Sequence, residues 1–185
     1  MVKTASTMVS LETEAPHFSL PDVISGKIIA VNSNFHGKAL VIMFICNHCP
    51  YVKHILQDLV KLANEYLKKS VEFIAINAND VEHYPDDSPI NMQKIAKKFN
   101  FPFPYLFDST QEVAKAYQAA CTPDFFVFDN KKLLRYRGQL DDSRPGNSIP
   151  VTGKSIRDAL DQLLSGNSVS TIQKPSLGCN IKWKQ

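Results

Sequence analysis

Cys46-Asn-His-Cys49 is the segment of this chain whose residue types and spacing could do chemistry. Two thiols separated by two residues can close into a disulfide and reopen, or share a soft metal ion. A structural staple is not needed, because a chain of 185 residues can bury a core without one. In a non-secreted protein a Cys-x-x-Cys pair is more often redox-active or metal-binding than structural.

The flanking residues say where the pair sits. Ala39-Leu-Val-Ile-Met-Phe-Ile45 is an unbroken apolar run, the pattern of a strand covered on both faces. After Pro50, apolar residues fall at Val52, Ile55, Leu56, Leu59, Val60, Leu62, Ala63, Tyr66 and Leu67, which predicts an amphipathic helix of four or more turns. The cysteines therefore lie where a buried strand ends and a helix begins. First-turn amides lack intrahelical partners and the peptide dipoles make that end electropositive, which favours thiolate over thiol. Such positions bring a cysteine pKa to roughly 3.5–7.5. Cys46, nearer the strand, is expected to be the exposed nucleophile, and Cys49 the resolving thiol one turn later. Pro50 suits the first turn, where its missing N–H costs little. His48, between the cysteines, is expected to tune the pair by stabilising the thiolate and with it the reduced form.

A copper or zinc reading would use Cys46, Cys49 and His54. No second Cys-x-x-Cys is present to complete a structural zinc site, and Pro50 stands where a haem-attachment motif needs histidine. The expectation is no metal, and no cofactor beyond the redox-active disulfide itself. Cys121 and Cys179 are more distant. Each reads first as a buried apolar side chain and second as an additional redox thiol.

The elements that must position these residues follow from periodicity. His17 to Val31 reads as a β-hairpin around Ser25-Gly-Lys27. Val71 to Ile76 is a second buried strand and completes a βαβ unit. Asn77 to Pro89 is a loop, Asn91 to Phe99 a helix, Tyr105 to Phe107 a short strand and Gln111 to Ala120 another helix. Asp124 to Phe128 and Leu133 to Arg137 form a hairpin about Asp129-Asn-Lys-Lys132. Gly138 to Gly153 is a polar loop, and Ser155 to Leu164 a closing helix. The order predicts an α/β domain with a mixed central sheet and helices on both faces, preceded by the N-terminal hairpin. Residues 1–166 form this domain, and residues 167–185 a C-terminal tail packed on or near it.

Composition excludes several classes. Hydrophobic residues make up 44% and charged residues 21%, ordinary for a folded domain and unlike a disordered chain. The net charge of +3 is spread over pairs such as Lys68-Lys69, Lys97-Lys98 and Lys131-Lys132, without a basic stripe for nucleic acid. The longest apolar run is far below the ~20 residues of a membrane span. Met1 to Leu20 has no apolar core, so a secretory signal is not read there and the cytosol is the expected compartment.

Strand, Cys-x-x-Cys, helix, strand, then Thr122-Pro123 before an antiparallel hairpin resembles the thioredoxin pattern over roughly residues 15–165. Phe44-Ile-Cys-Asn-His-Cys-Pro-Tyr-Val-Lys53, Tyr84-Pro-Asp-Asp-Ser-Pro89 and Gly178-Cys-Asn-Ile-Lys-Trp183 more closely resemble a bacterial branch of peroxiredoxin-related redoxins. The resemblance implies a thioredoxin-like fold and thiol-disulfide or antioxidant activity. The partners would be a thiol or disulfide substrate and an electron-donor thiol, protein or small molecule. It also implies a cis Thr122-Pro123 bond facing the cysteine pair, with a backbone edge able to receive substrate.

Two competing readings bear on the same cysteines. A peroxidase of the peroxiredoxin type would use Cys49 as its peroxidatic thiol. That alignment puts Cys46 where such enzymes carry Thr or Ser, Ile42 where they carry Pro, and Pro123 where they carry Arg. A binding module that kept the fold without catalysis is opposed by the intact cysteine pair.

Overall fold

A computed structural model describes residues 3–31 and 36–185 of the chain. Its centre is β4 (Ala39–Phe44), the apolar run, buried at every position. β5 (Val71–Asn77) lies parallel on one side, and β8 (Asp124–Asp129) lies antiparallel on the other. β6 (Tyr105–Phe107) extends the sheet parallel to β5, and β9 (Leu134–Gly138) closes it as the hairpin partner of β8. The order β6-β5-β4-β8-β9 is the mixed sheet expected from the sequence, in a thioredoxin-like layout.

Because strand side chains alternate, β4 feeds two separate cores. Ala39, Val41 and Met43 pack under α1 (Pro50–Leu67), α2 (Pro89–Phe99) and α4 (Lys154–Leu164). Helix α1 presents Val52, Ile55, Leu56, Leu59, Leu62, Ala63 and Tyr66 to that core, the stripe read from its spacing. Leu40, Ile42 and Phe44 face the other way, onto the hairpin of β2 (Phe18–Pro21) and β3 (Ile28–Val31) and onto α3 (Glu112–Ala116). Helix α3 is half the length expected for Gln111 to Ala120. Gln111 and Gln118 take positive φ of 64° and 51°, so the backbone leaves the helix on both sides.

A further sheet was not foreseen. β1 (Lys3–Ala5), β10 (Leu177–Asn180) and β7 (Cys121–Thr122) pair antiparallel in the order β1-β10-β7. Each strand is too short to carry a periodic signal. Gly178 permits the approach, since a side-chain carbon there would overlap the Thr122 carbonyl. Residues 177–180 of the tail are therefore a strand woven between the N-terminus and the segment before Pro123. No helix of the described residues is long and apolar enough to cross a membrane.

Candidate functional site

The site begins where β4 runs out. Ile45 still donates to the Ile76 carbonyl at 3.0 Å, and the chain then turns through Asn47 and His48 into α1. Cys49 is the N-cap, in extended conformation, with Pro50 opening the first turn. The Thr122-Pro123 peptide is cis and faces both cysteines. Thr122 Oγ1 is 3.3 Å from Cys46 Sγ, and Cys49 Sγ lies 3.1 Å from the Thr122 carbonyl oxygen, to which it donates when protonated. None of the four cysteines is joined in a disulfide, and all are buried.

The charge distribution departs from the sequence expectation. Cys46 is only 2% exposed, not the open nucleophile anticipated. Its thiol is held well above the ordinary value, first by donating a hydrogen bond to Cys49, then by burial and the nearby Asp87 carboxylate; the Thr122 hydroxyl opposes them. Cys49 is brought down to about 5, chiefly by the hydrogen bond it accepts from Cys46. Burial works against this, while hydrogen bonds from the Cys179 thiol and the Val52 amide add to it. The first proton lost belongs to the pair, and the donors around Cys49 favour the resulting charge on that sulfur. The helix start does favour a thiolate, but the carboxylate beside Cys46 and the donors around Cys49 decide which sulfur carries it.

Asp87 had no role in the sequence reading. It lies just before α2, in the short 3-10 turn Pro85–Asp87, and is fully buried. Oδ1 accepts the amides of Asn47 at 2.7 Å and His48 at 3.3 Å, and Oδ2 accepts the Asn79 side-chain amide at 2.7 Å. Burial pushes this carboxyl up, but bonds from His48, Asn79 and Asn47 outweigh it and hold it below the usual range. A carboxylate has no proton to give, so His48 Nδ1–H donates to Oδ2 at 2.6 Å. The His48 ring stacks on Tyr84 at 5.7 Å between centroids. His48 thus turns toward the carboxylate that supports the Cys-x-x-Cys turn. The one available signal for this was the Tyr84–Pro89 segment, which supplies both of its partners.

Cys46, His48 and Asp87 offer ligand atoms within 4.8 Å of one another, making them the described residues best placed to hold a metal. That set differs from the Cys46, Cys49 and His54 combination. His54 lies elsewhere, its Nε2 2.7 Å from Ser143 Oγ.

A cavity of about 260 Å³ opens beside Cys46, walled by Ile45, Val52, Leu56, Ile95, Phe101 and Tyr105. The buried Tyr105 hydroxyl donates to Asn47 Oδ1 at 3.1 Å and ties the cavity wall to the motif. The two outlying cysteines separate here. Cys121 is raised by burial and by Asp124, and its thiol points at the Pro123 carbonyl 3.6 Å away. Cys179 Sγ lies 3.0 Å from Cys49 Sγ.

Comparison with known proteins places the chain in a family and a fold. Residues 11–137 match the AhpC/TSA family. An uncharacterized conserved protein from Geobacillus kaustophilus has the same structure over 100% of this chain and 97% of its own, at 59% identity and a TM-score of 0.97. Thiol-disulfide oxidoreductase ResA of Geobacillus thermodenitrificans is 26% identical over 132 residues, 71% of either chain. A thiol:disulfide interchange protein of the thioredoxin family from Chlorobium tepidum shares the fold at 18% identity, with a TM-score of 0.63 over 84% of this chain and 98% of its own.

Proposed function

This chain belongs to the AhpC/TSA family, and we propose that within it Cys46 and Cys49 act as a thiol-disulfide oxidoreductase, interconverting dithiol and disulfide. The observation that carries the reading is the hydrogen-bonded sulfur pair at a strand-to-helix junction, facing the cis Thr122-Pro123 loop, with one thiol brought down to about 5. At neutral pH the pair holds one proton. Cys46 borders the cavity and Cys49 does not, so Cys46 is the sulfur that meets substrate.

The reaction begins as Cys46 sulfur attacks one sulfur of a substrate disulfide. Its proton passes along the existing hydrogen bond to Cys49, the Cys46–substrate bond forms, and the other substrate sulfur leaves as thiolate. That thiolate takes the proton from Cys49, which is again an anion. Cys49 attacks Cys46 sulfur, the Cys46–Cys49 bond forms, and the second substrate thiolate departs. Two electrons have moved from the dithiol to the substrate. An electron-donor thiol, protein or small molecule, reverses the same steps to restore the dithiol.

The peroxidase alternative has two observations in its favour, the lowered thiol of Cys49 and the proline that follows it, Pro50. Against it, Cys49 is 0% exposed and enclosed by Cys46, Cys179 and the Thr122 carbonyl, and Pro123 stands where a peroxide-polarising Arg would be. Insulin reduction by wild type, Cys46→Ser and Cys49→Ser tests the assignment. Both variants should lose turnover, and Cys49→Ser should trap a mixed disulfide on Cys46. Turnover retained by Cys46→Ser and lost only in Cys49→Ser would reverse the roles. Rapid, saturable consumption of hydrogen peroxide would replace the reading with the peroxidase.

A further inference from the structure

Cys179 takes no part in the steps above, yet its sulfur touches the pair. Strand β10 lies along β7 in the register Cys179↔Thr122 and Asn180↔Cys121, the edge immediately before Pro123. The strand is held at both ends. Ser176 Oγ donates to the Pro123 carbonyl at 2.5 Å, and the Ile181 amide donates to the Ala120 carbonyl at 3.1 Å. Beyond it, the Lys182 amide donates to Asn79 Oδ1 at 2.9 Å, the side chain whose amide also supports Asp87. Gly178 brings the backbone close enough for Cys179 Sγ to reach 3.0 Å from Cys49 Sγ, on the sheltered side of the pair. A disulfide bond of about 2.05 Å requires closing that gap by about 1 Å.

We propose that Cys179 is a third redox thiol that takes the disulfide over from Cys46. This rests on the oxidoreductase reading. After substrate has oxidised the pair to Cys46–Cys49, the Cys179 thiolate attacks Cys49 sulfur. The Cys49–Cys179 bond forms, the Cys46–Cys49 bond breaks, and Cys46 leaves as a thiolate at the cavity. The two-electron oxidation level is unchanged, and the proton given up by Cys179 is available to Cys46. In the reduced cluster, burial and the hydrogen bond donated to Cys49 push the Cys179 thiol up to about 12. Once Cys49 is in a disulfide its anion is gone, so burial alone opposes the Cys179 thiolate and Lys182 favours it. The exchange would store the disulfide beneath β10 and return a reduced Cys46 to the cavity.

Disulfide mapping on the full chain tests this. Protein is oxidised with excess glutathione disulfide, blocked with N-ethylmaleimide in acid and digested with trypsin. Residues 39–53 carry Cys46 and Cys49 together, whereas Cys121 and Cys179 fall on two other peptides. Wild type should yield a cross-link between the 39–53 peptide and the peptide holding Cys179. Cys46→Ser should lose two of its three thiols to the same cross-link. In oxidised Cys179→Ser, alkylation of Cys46 should fall about tenfold relative to oxidised wild type, because exchange no longer frees it. An internal Cys46–Cys49 disulfide with Cys179 fully alkylatable would overturn the relay and leave the oxidoreductase reading standing. No disulfide at all among Cys46, Cys49 and Cys179 would remove both. The wild-type arm needs no variant to fold, and Cys179→Ser is checked by far-UV circular dichroism.

Discussion

Replacing Asp87 by Asn should lower the Cys46 pKa. The carboxylate lies within 4.8 Å of Cys46 Sγ, and its charge opposes a second charge on that sulfur. At an effective dielectric of about 20, two unit charges 4.8 Å apart repel by about 3.5 kcal/mol, or about 2.5 pKa units. The hydrogen bonds from the His48 ring and three amides spread that charge, so a fall of about 1–2.5 units is expected. Asn preserves the shape and one acceptor oxygen for the Asn47 amide, whereas Ala would leave several buried donors unpaired at about 1–3 kcal/mol each. The measurement belongs in a Cys49→Ser background, where Cys46 titrates without its coupled neighbour. Thiolate absorbance at 240 nm and the iodoacetamide rate are followed against pH, with and without Asp87→Asn. An unchanged or raised Cys46 pKa, in a protein with native circular dichroism, would refute the claim that Asp87 keeps this sulfur protonated.

Other expectations follow from the same contacts. Thr122→Val removes the hydroxyl that favours the Cys46 thiolate, so the Cys46 pKa should rise by about 0.5–1 unit and substrate reduction should slow; pH–rate profiles check this. Asp124 is buried and raised from 3.8 to about 7, so it binds its proton more tightly in the folded state. Its stabilising contribution is complete below pH 3.8 and lost as pH rises to about 7, and Asp124→Asn should remove that loss. Urea denaturation at pH 5 and pH 8 should show the wild-type drop shrinking by about 2–3 kcal/mol at most in the variant. Asp87 has the opposite sign. Its lowered carboxyl stabilises above its unfolded pKa, and that contribution should disappear as pH falls through its folded value, so Asp87→Asn should flatten the acid limb of the stability curve. Gly178→Ala should dislodge β10 from Thr122, seen as faster amide hydrogen exchange over residues 177–180.

Local pattern was enough for the frame of this protein. The apolar run 39–45 read as a strand covered on both faces, and the stripe from Val52 to Leu67 as an amphipathic helix, so the placement of Cys46 and Cys49 at their junction followed from composition and period. Asp129 to Lys132 marked the closing hairpin for the same reason, and Thr122-Pro123 was recognisable by its place before it. The chemistry within that frame depended on contacts between residues far apart in the chain, where periodicity carries no information. Asp87 reaches Asn47 across 40 residues, and Cys179 reaches Cys49 across 130. Strands of two to four residues at β1, β7 and β10 are too short to announce themselves, and α3 stops early because residues on either side of it turn into positive φ. The position of the thiolate was therefore a tertiary decision. A helix start favours an anion in general, but the burial of one carboxylate beside Cys46 and of two S–H donors and two amides around Cys49 favours it on the second sulfur.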